Sequence, residues 1–347
     1  MPSRLATPLP ARVTIADVAR EAGVSKATVS RFLNHRDTLL TRDIAARVES
    51  AIEALGYSPS PMAQALKRGQ SRLIGLVVAD VTNPFSVAVL RGAEQACQEA
   101  GYLVMLFNLG NASQRESQAI AALANYQVDG FILNTLGREP AAALDAARRG
   151  KPVVLVDRRH HEMRADFVSL DNASAMDLAV RHLMDNGWRD LLFVSEPAGG
   201  VSSRLERAES FRALVGRHGE LLRGRTLELG EEPLERALER LRDEAQGRPI
   251  GVISSNAVVT LRVAEAVAGL GWQFGRELGF VGFDETEWAA LVGPGLSTIA
   301  QPTDQLGRLA ANCLLERVQG QQPPHRTILV PGQLVVRGSS APAGQGH

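Results

Sequence analysis

The sequence predicts an α/β protein in which a small N-terminal helix-turn-helix head precedes a two-lobed body of doubly wound parallel sheets. Two short helical patterns joined by a glycine turn, within residues 14–34, predict the head. From residue 73 apolar strands alternate with helical patterns, and the alternation starts again after Asp171, which predicts two similar lobes. A chain of 347 residues with 45% hydrophobic residues is long enough for two or three domains.

The head begins with the segment TIADVAREAGVSKATVSRFLN. Thr14 is a good N-cap, and Gly23 ends the first helix, because a left-handed backbone costs glycine little. Ser25 caps the second helix, which has an apolar inner face. The second helix of such a motif enters the major groove of DNA. A helical hairpin inside a larger core is the alternative, but it would be expected to bury both faces. The outer face here is polar and basic, with Lys26, Thr28, Ser30, Arg31 and Asn34.

Charge is divided unevenly along a chain whose formal net charge is zero. Residues 1–72 hold 11 Lys and Arg against 6 Asp and Glu, whereas the remaining residues hold 27 against 32. A basic head on an acidic body is the electrostatic pattern of a phosphate-binding module. The charge distribution therefore favours DNA as the partner of the head.

The head is predicted to continue with a third helix at about residues 41–55, which Gly56 ends. The extended joint YSPSP follows, and residues 62–67 have the length of only one or two helical turns, which is marginal for an isolated helix in water. A plain linker and a segment that folds only when something packs on it both remain open. Residues 1–11 are predicted to be a disordered arm, and residues 341–347 a loose tail.

In the body, ligands are expected at the carboxyl ends of the strands, as in other open α/β sheets. A single polar residue there is more often a loop cap than a ligand contact. Several polar residues that point to one cleft predict a binding site. Carboxylate and amide acceptors with arginine donors suit a polyhydroxylated ligand, and an aromatic face can cover the apolar side of a sugar ring. The residues at these ends are Asp80, Asn83, Phe85, Asn134, Asp157, Arg158, Asn256 and Asp284.

No catalytic or cofactor motif is present. The sequence lacks G-x-G-x-x-G after the first strand, G-x-x-x-x-G-K-[ST], G-x-S-x-G and H-E-x-x-H, so we expect neither an enzyme nor a cofactor. The polar loop His160-His161-Glu162 has no matching set of metal ligands, so no metal is expected. Cys97 and Cys313 lie in apolar helical patterns and are predicted to be buried thiols. Without a signal peptide or an apolar run of membrane length, the chain is expected in the cytoplasm.

The segment VTIADVAREAGVSKATVSRFLN resembles the head of the lac-repressor (LacI/GalR) family of bacterial transcription regulators. The similarity continues through AIEALGYSPSPMAQALKRGQSRLIGLVVADVTNPF and returns in VGFDETEW and QLVVRGSS, so it covers about residues 12–340. It implies a periplasmic-binding-protein-like body and a homodimer, or a higher oligomer, that binds a near-palindromic operator. The implied DNA-binding residues are Thr14, Ser25, Lys26, Ala27, Thr28, Ser30, Arg31, Asn34, Tyr57, Ala63 and Leu66.

The resemblance also implies boundaries: a head at 12–59, a hinge at 60–71 and an effector-binding body at 72–340. The first lobe would comprise about 72–162 plus 297–325, and the second about 163–296 plus 326–340. The hinge would order on DNA and pair with its twin, with Ala63 at the helix contact and Leu66 as a wedge in the minor groove. The sequence departs from the family at Ser60, where Asn is usual, at Pro61, and at Gln64, where Arg is frequent.

For the body, the resemblance places Arg207 and Gln301 in the effector cleft together with Asn256 and Asp284, and Arg204 lies near the same cleft. The segments NTLG, VDRR, LDNA and LVGPGLSTIAQPTDQLGR are similar to repressors that respond to 2-ketogluconate and related sugar acids. A carboxylate suits a fork-shaped guanidinium. Neutral-sugar repressors use the position of Arg207 on hydroxyls, so a neutral sugar remains open. The alternative function is a solute-binding receptor without a DNA function, which the head and the missing signal peptide count against.

Overall fold

The structure is a computed structural model that describes residues 13–34, 40–58, 69–137, 140–160 and 162–343. The chain divides into two compact units, residues 1–71 and residues 72–347. The predicted arm, Ala63 and Leu66 of the predicted hinge, and most of the predicted tail lie outside the described residues. The limits of these segments stay predictions.

The head unit contains the predicted helices, α1 (Ile15–Glu21), α2 (Lys26–Asn34) and α3 (Arg42–Leu55). The carboxylate of Asp17 closes the N-terminus of α1 by accepting from the Thr14 backbone N–H at 3.0 Å and from its hydroxyl at 2.7 Å. Ser25 Oγ accepts from the backbone N–H of Thr28 at 3.1 Å and so caps α2, as predicted. The small core that holds the three helices together is formed by Val18, Ala19, Ala22, Val29, Phe32, Val48 and Ala51.

A close backbone contact fixes the turn of the helix-turn-helix. Gly23 has a φ of +64°, the left-handed conformation predicted for it. Nη2 of Arg47, on α3, donates to the carbonyl oxygens of Ala22 at 2.6 Å and Gly23 at 3.1 Å. A Cβ on Gly23 would lie 2.7 Å from that nitrogen. Glycine is therefore favoured by the backbone conformation, whereas a Cβ there would have to displace only the flexible end of the Arg47 side chain.

The body unit alternates strands and helices. Its helices are α4 (Pro84–Glu99), α5 (Glu116–Asn125), α6 (Ala141–Arg148), α7 (Asn172–Asp185), α8 (Ser202–Arg217), α9 (Leu234–Ala245), α10 (Ala257–Gly269) and α11 (Thr303–Val318). Its strands are β1 (Leu73–Val78), β2 (Leu103–Asn108), β3 (Gly130–Asn134), β4 (Val153–Val156), β5 (Asp166–Leu170), β6 (Asp190–Ser195), β7 (Arg223–Glu228), β8 (Ile250–Ser254), β9 (Gly279–Phe283), β10 (Ser297–Ala300), β11 (Thr327–Val330) and β12 (Gln333–Val335).

The strands form two sheets. The first has the order β11-β5-β4-β3-β1-β2, with every pair parallel. The second has the order β12-β10-β9-β8-β6-β7 and is parallel except for β12, which runs antiparallel to β10. Helix α11 packs on α4 and on the first sheet, so the chain passes between the lobes three times. This architecture confirms the predicted two-lobed, doubly wound fold.

The sheet order corrects the expected limits of the lobes. Strand β5 was not predicted and belongs to the first sheet, although the limit at 162/163 assigned it to the second lobe. Strand β10 lies in the second sheet and β11 in the first, each opposite to the expected lobe. Strand β5 was missed because Asp166 and Ser169 interrupt its apolar pattern, although both residues are fully buried. Asp166 is tolerated there because Arg317 and Arg326 donate to its carboxylate.

Two glycines allow α4 and α11 to pack with their backbones in contact. A Cβ on Gly92 would overlap the carbonyl oxygen of Asp304, and a Cβ on Gly307 would overlap that of Val89. Cys97 and Cys313 lie in the apolar cluster between the same helices, as buried thiols. Burial raises the pKa of the Cys97 thiol to about 11. Within the described residues, no helix has the length and apolarity needed to span a bilayer.

Candidate functional site

The outer face of α2 is the candidate DNA-binding surface of the head. Lys26, Ala27 and Arg31 are exposed there, together with the cap Ser25. Thr28 is half-buried, and its hydroxyl lies 2.9 Å from Ser25 Oγ. The opposite face packs into the head core, so α2 presents a basic and polar surface near its N-terminus. This is the arrangement by which a recognition helix contacts base edges.

The other predicted DNA-binding residues are distributed over the head. Ser30 is half-buried on α2, and Asn34 is the last residue of that helix. Thr14 is exposed at the start of α1. Tyr57 is half-buried and packs against the head core just after α3. Ala63 and Leu66 lie outside the described residues.

The candidate effector site lies in the body, at the carboxyl ends of the strands. On the first lobe, Asp80 accepts from the Thr82 backbone N–H at 2.9 Å and from Asn111 Nδ2 at 2.8 Å. Asn83 caps α4 by accepting from the backbone N–H of Phe85 at 3.0 Å, and the Phe85 ring is buried in the first-lobe core. The loop around Asp80 and Asn83 is thus fixed by its own hydrogen bonds.

Asn134 is the next predicted effector-site residue of the first lobe, at the end of β3. Its Nδ2 donates to the Val156 carbonyl oxygen at 3.1 Å, and its Oδ1 lies 3.4 Å from Ser86 Oγ. The side chain is buried, with 2% exposed. Asn134 therefore ties the carboxyl ends of neighbouring strands and the start of α4 to one another.

Asp157 joins the two lobes. It follows β4 with a φ of +65°, a conformation that Asp and Asn tolerate better than most residues. Its Oδ2 accepts from Ser203 Oγ, on α8 of the second lobe, at 3.2 Å and lies 3.4 Å from Arg158 Nε. Its Oδ1 lies 3.9 Å from Arg207 Nη2. One buried carboxylate thus neutralises an arginine of each lobe.

Arg207 lies on α8 and is held on several sides. Its Nε donates to Asn172 Oδ1 at 2.8 Å, and its Nη1 donates to the Ser255 carbonyl oxygen at 2.5 Å. The guanidinium carbon lies 4.5 Å from the centre of the Phe283 ring, a cation–π contact. Arg207 is buried, with 6% exposed. The orientation of Arg207 is therefore fixed by second-lobe residues, and its role in effector binding stays a prediction.

Asp284 and Gln301 meet beside Arg207. Asp284 follows β9 with a φ of +75°. Its carboxylate accepts from the Ala257 backbone N–H at 2.9 Å and from Gln301 Nε2 at 2.5 Å. Burial raises the pKa of Asp284, and the nearby Arg207 guanidinium only partly opposes this shift. Asp284 therefore ties the end of β9 to the start of α10 and to Gln301.

Arg204 and Asn256 share one acceptor, Glu196. Nη2 of Arg204 donates to Glu196 Oε2 at 2.6 Å, and Nδ2 of Asn256 donates to the same oxygen at 2.7 Å. Arg204 also donates to the Pro197 carbonyl oxygen at 2.8 Å, and Asn256 caps α10 through the Val259 backbone N–H at 2.9 Å. Burial lowers the pKa of the Arg204 guanidinium, and Glu196 opposes this.

The sequence analysis missed several residues of this network, among them Asn172, Glu196, Ser203 and Ser255. Glu196 and Ser255 follow apolar strands, as the predicted residues do, so the same signal applies to them. Among the described residues, no group of three His, Cys, Asp or Glu is arranged to hold a metal ion. His160 instead lies against Glu116, and His161 falls outside the described residues.

The protein combines a helix-turn-helix unit that has a basic face with a two-lobed unit whose polar residues converge between the lobes. This combination defines a DNA-binding regulator with an effector-binding domain. Residues 14–60 match the lacI family of bacterial regulatory proteins, and residues 180–340 match the periplasmic binding protein-like domain. The chain belongs to the lacI family. It is a transcription regulator and not an enzyme.

Relatives support the family along the whole chain. The HTH-type transcriptional regulator PtxS of Pseudomonas plecoglossicida is 46% identical over 329 residues, which cover 95% of this chain and 96% of the relative. KdgR of Bacillus subtilis is 35% identical and covers 94% of this chain and 97% of the relative. The solved structure of the lac repressor dimer bound to operator and the anti-inducer ONPF matches with a TM-score of 0.83 at 24% identity, over 95% of this chain and 100% of that chain. At that identity it shows the fold.

Proposed function

We propose that the protein is a repressor that binds a near-palindromic operator as a homodimer in the bacterial cytoplasm and responds to a small sugar acid resembling 2-ketogluconate. The observation that carries this proposal is the buried polar network between the lobes, in which Asp157 faces both Arg158 and Arg207. Such a network offers donors and acceptors for hydroxyls, and its cations offer a place for a carboxylate.

A ligand in this cleft would touch both lobes. Asn134, Asp157 and Arg158 would contact it from the first lobe, and Arg207, Asn256 and Asp284 from the second. Only a ligand that binds one arrangement of the lobes more tightly than the other can shift the equilibrium between them. Coupling of this kind is typically worth about 1–3 kcal/mol between two sites. We propose that the effector lowers the affinity for the operator, as in sugar-induced repressors.

On the head, α2 would enter the major groove and place Lys26, Thr28 and Arg31 near base edges. Residues 60–71 would form the hinge, with Leu66 as a minor-groove wedge. Two copies are required because one head offers few contacts, and a two-fold operator matches a two-fold protein. Sedimentation should therefore show a dimer; a monomer that still binds operator tightly would contradict the two-fold model.

The proposed function is tested in two steps. Selection from random double-stranded DNA should yield a near-palindromic site, and enrichment of no sequence would instead favour a solute receptor without a DNA function. Titration calorimetry then compares 2-ketogluconate, gluconate and glucose. We expect the acids to bind more tightly and to release the selected DNA in a gel shift. If glucose binds as well as the acids, the effector is not a sugar acid.

A further inference from the structure

The three arginines predicted for the cleft differ in how many of their donors are already used; they are Arg158, Arg204 and Arg207. A guanidinium binds a carboxylate best through two N–H groups on one edge. In Arg207, Nε donates to Asn172 and Nη1 donates to Ser255, so each carboxylate-binding edge contains a nitrogen that is already bonded. The whole group also stacks on Phe283. Arg207 is thus arranged to brace the second lobe.

Arg204 is engaged in a similar way. Its Nη1 donates to the Pro197 carbonyl oxygen and its Nη2 donates to Glu196. Glu196 carries the negative charge that compensates this arginine at 2.6 Å. A second carboxylate at the same edge would have to displace Glu196, so Arg204 is a poor site for the ligand's acid group.

Arg158 differs from both. Its side chain is nine-tenths buried, yet its Nε has no hydrogen-bond partner among the described residues. Nη1 makes one long hydrogen bond, 3.3 Å, to the Thr135 carbonyl oxygen. Asp157 Oδ2 lies 3.4 Å from Nε and balances the charge without completing a hydrogen bond. A buried donor left unpaired costs free energy, which a ligand acceptor would recover.

A buried cluster holds Arg158 in this position. Thr135 Oγ1 donates to Glu116 Oε1 at 2.8 Å, and His160 Nε2 lies 3.2 Å from both of these oxygens. Glu116, Thr135 and His160 are each at most 3% exposed. The cluster therefore fixes the loop after β3, whose carbonyl accepts from Arg158, to the loop after β4, which carries Arg158 itself. This orients the guanidinium before a ligand arrives.

From these contacts we infer that Arg158, and not Arg207, binds the carboxylate of the effector. The carboxylate would take the place of Asp157 at the edge that contains Nε, where the 3.4 Å contact is not a hydrogen bond. Thr135 is a positioning residue for this subsite. The inference rests on the proposed function, since it assigns the acid group of a sugar acid to one side chain. It also separates two roles: Arg158 selects acids over neutral sugars, and Arg207 supports binding of the rest of the molecule.

The test is titration calorimetry of the full-length protein with 2-ketogluconate and with its uncharged methyl ester. The wild type should prefer the acid. Arg158→Gln should weaken acid binding by about 10- to 100-fold and should weaken ester binding by much less, because the ester can lose a hydrogen bond but has no charge to lose. Ester binding that is largely retained also shows that the variant is folded. Arg158→Lys keeps the positive charge but lacks the two-pronged guanidinium, so its affinity for the acid should lie between those of the wild type and Arg158→Gln. Arg207→Gln should weaken the binding of acid and ester equally.

Each contrary result has a distinct meaning. An acid preference that survives Arg158→Gln, or one that disappears in Arg207→Gln, overturns the assignment to Arg158 and leaves the proposed function standing. If the wild type does not prefer the acid over the ester, both the assignment to Arg158 and the proposed response to a sugar acid are wrong. For the positioning role, Thr135→Val should reduce the ratio of acid to ester affinity and Thr135→Ser should restore it. Equal loss for both ligands in Thr135→Val would mean that the cluster is only structural.

Discussion

The charge of Asp157 is the feature of the cleft whose removal has the clearest expected consequence. Asp157→Asn keeps the size of the side chain and suits the φ of +65°, because Asn tolerates the left-handed region. The substitution removes the negative charge and replaces one acceptor oxygen with an amide donor. It leaves Arg158 and Arg207 buried near each other with no carboxylate between them. We expect the body to lose stability.

The magnitude follows from the distances. At an effective dielectric constant of about 20, ion pairs of 3.4 and 3.9 Å are worth about 4–5 kcal/mol each before desolvation. Burial of the carboxylate offsets much of this gain, and removal of one partner from a buried pair costs about 3–5 kcal/mol. We expect about 3 kcal/mol, at the low end of that range, because the Asn oxygen can still accept from Ser203 and Asp284 still faces Arg207.

The assay is urea unfolding of the unliganded protein, with the midpoint and the slope compared between variants. Asp80→Asn is the matched control, because Asp80 also lies at a strand end and accepts hydrogen bonds, but pairs with no cation among the described residues. The control should lose only about 1 kcal/mol. If Asp157→Asn is no more destabilising than Asp80→Asn, the carboxylate does not neutralise the two arginines and the electrostatic argument is wrong.

Four further outcomes are expected. Arg31→Ala should weaken binding to the selected operator by about 1–3 kcal/mol without affecting effector binding, and unchanged operator affinity would refute the groove assignment. Leu66→Ala should abolish specific DNA binding, whereas a large drop in the melting temperature of the DNA-free protein would indicate a core role. Gly307→Ala should destabilise the folded protein by about 1–3 kcal/mol, because the new Cβ would overlap a backbone carbonyl of α4. Gly216→Ala is the control, since a Cβ at Gly216 has open space around it. Equal melting temperatures for the two variants would contradict the close packing of α4 and α11. Because the pKa of Asp284 is raised in the folded state, its contribution to stability is present at low pH and is lost as pH rises from about 4 through the folded pKa. The free energy of unfolding of the wild type relative to Asp284→Asn should therefore fall over that window, and a constant difference would show that Asp284 is not shifted.

The head was predictable from the sequence because its signals are local. Ser25 caps a helix with its own side chain, and Gly23 adopts the conformation that its missing Cβ allows. The spacing of Val29 and Phe32 fixes which face of α2 is buried. The alternation of strands and helices in the body was predictable for the same reason, since each pattern is contained within a short stretch of chain.

Membership of the sheets depended on tertiary structure. The four residues of β10 and of β11 carry no information about which sheet they join. That choice depends on pairing with strands distant in sequence, such as Thr327 with Phe167. The polar strand β5 became recognisable only once Arg317 and Arg326 were placed on Asp166.

The candidate site shows the same division. Residue type and position at strand ends selected Asp157, Arg158 and Asp284 as candidates, and the family resemblance added Arg207. The hydrogen-bond partners of each arginine could not be predicted, because Arg207 reaches Asn172 and Ser255 across long intervals of sequence. The sequence, read with the family resemblance, therefore selected the candidate cations of the cleft. Only the tertiary structure decided which of them retains an unpaired donor, because hydrogen bonding in a buried site depends on which distant backbone and side-chain groups the fold brings within reach.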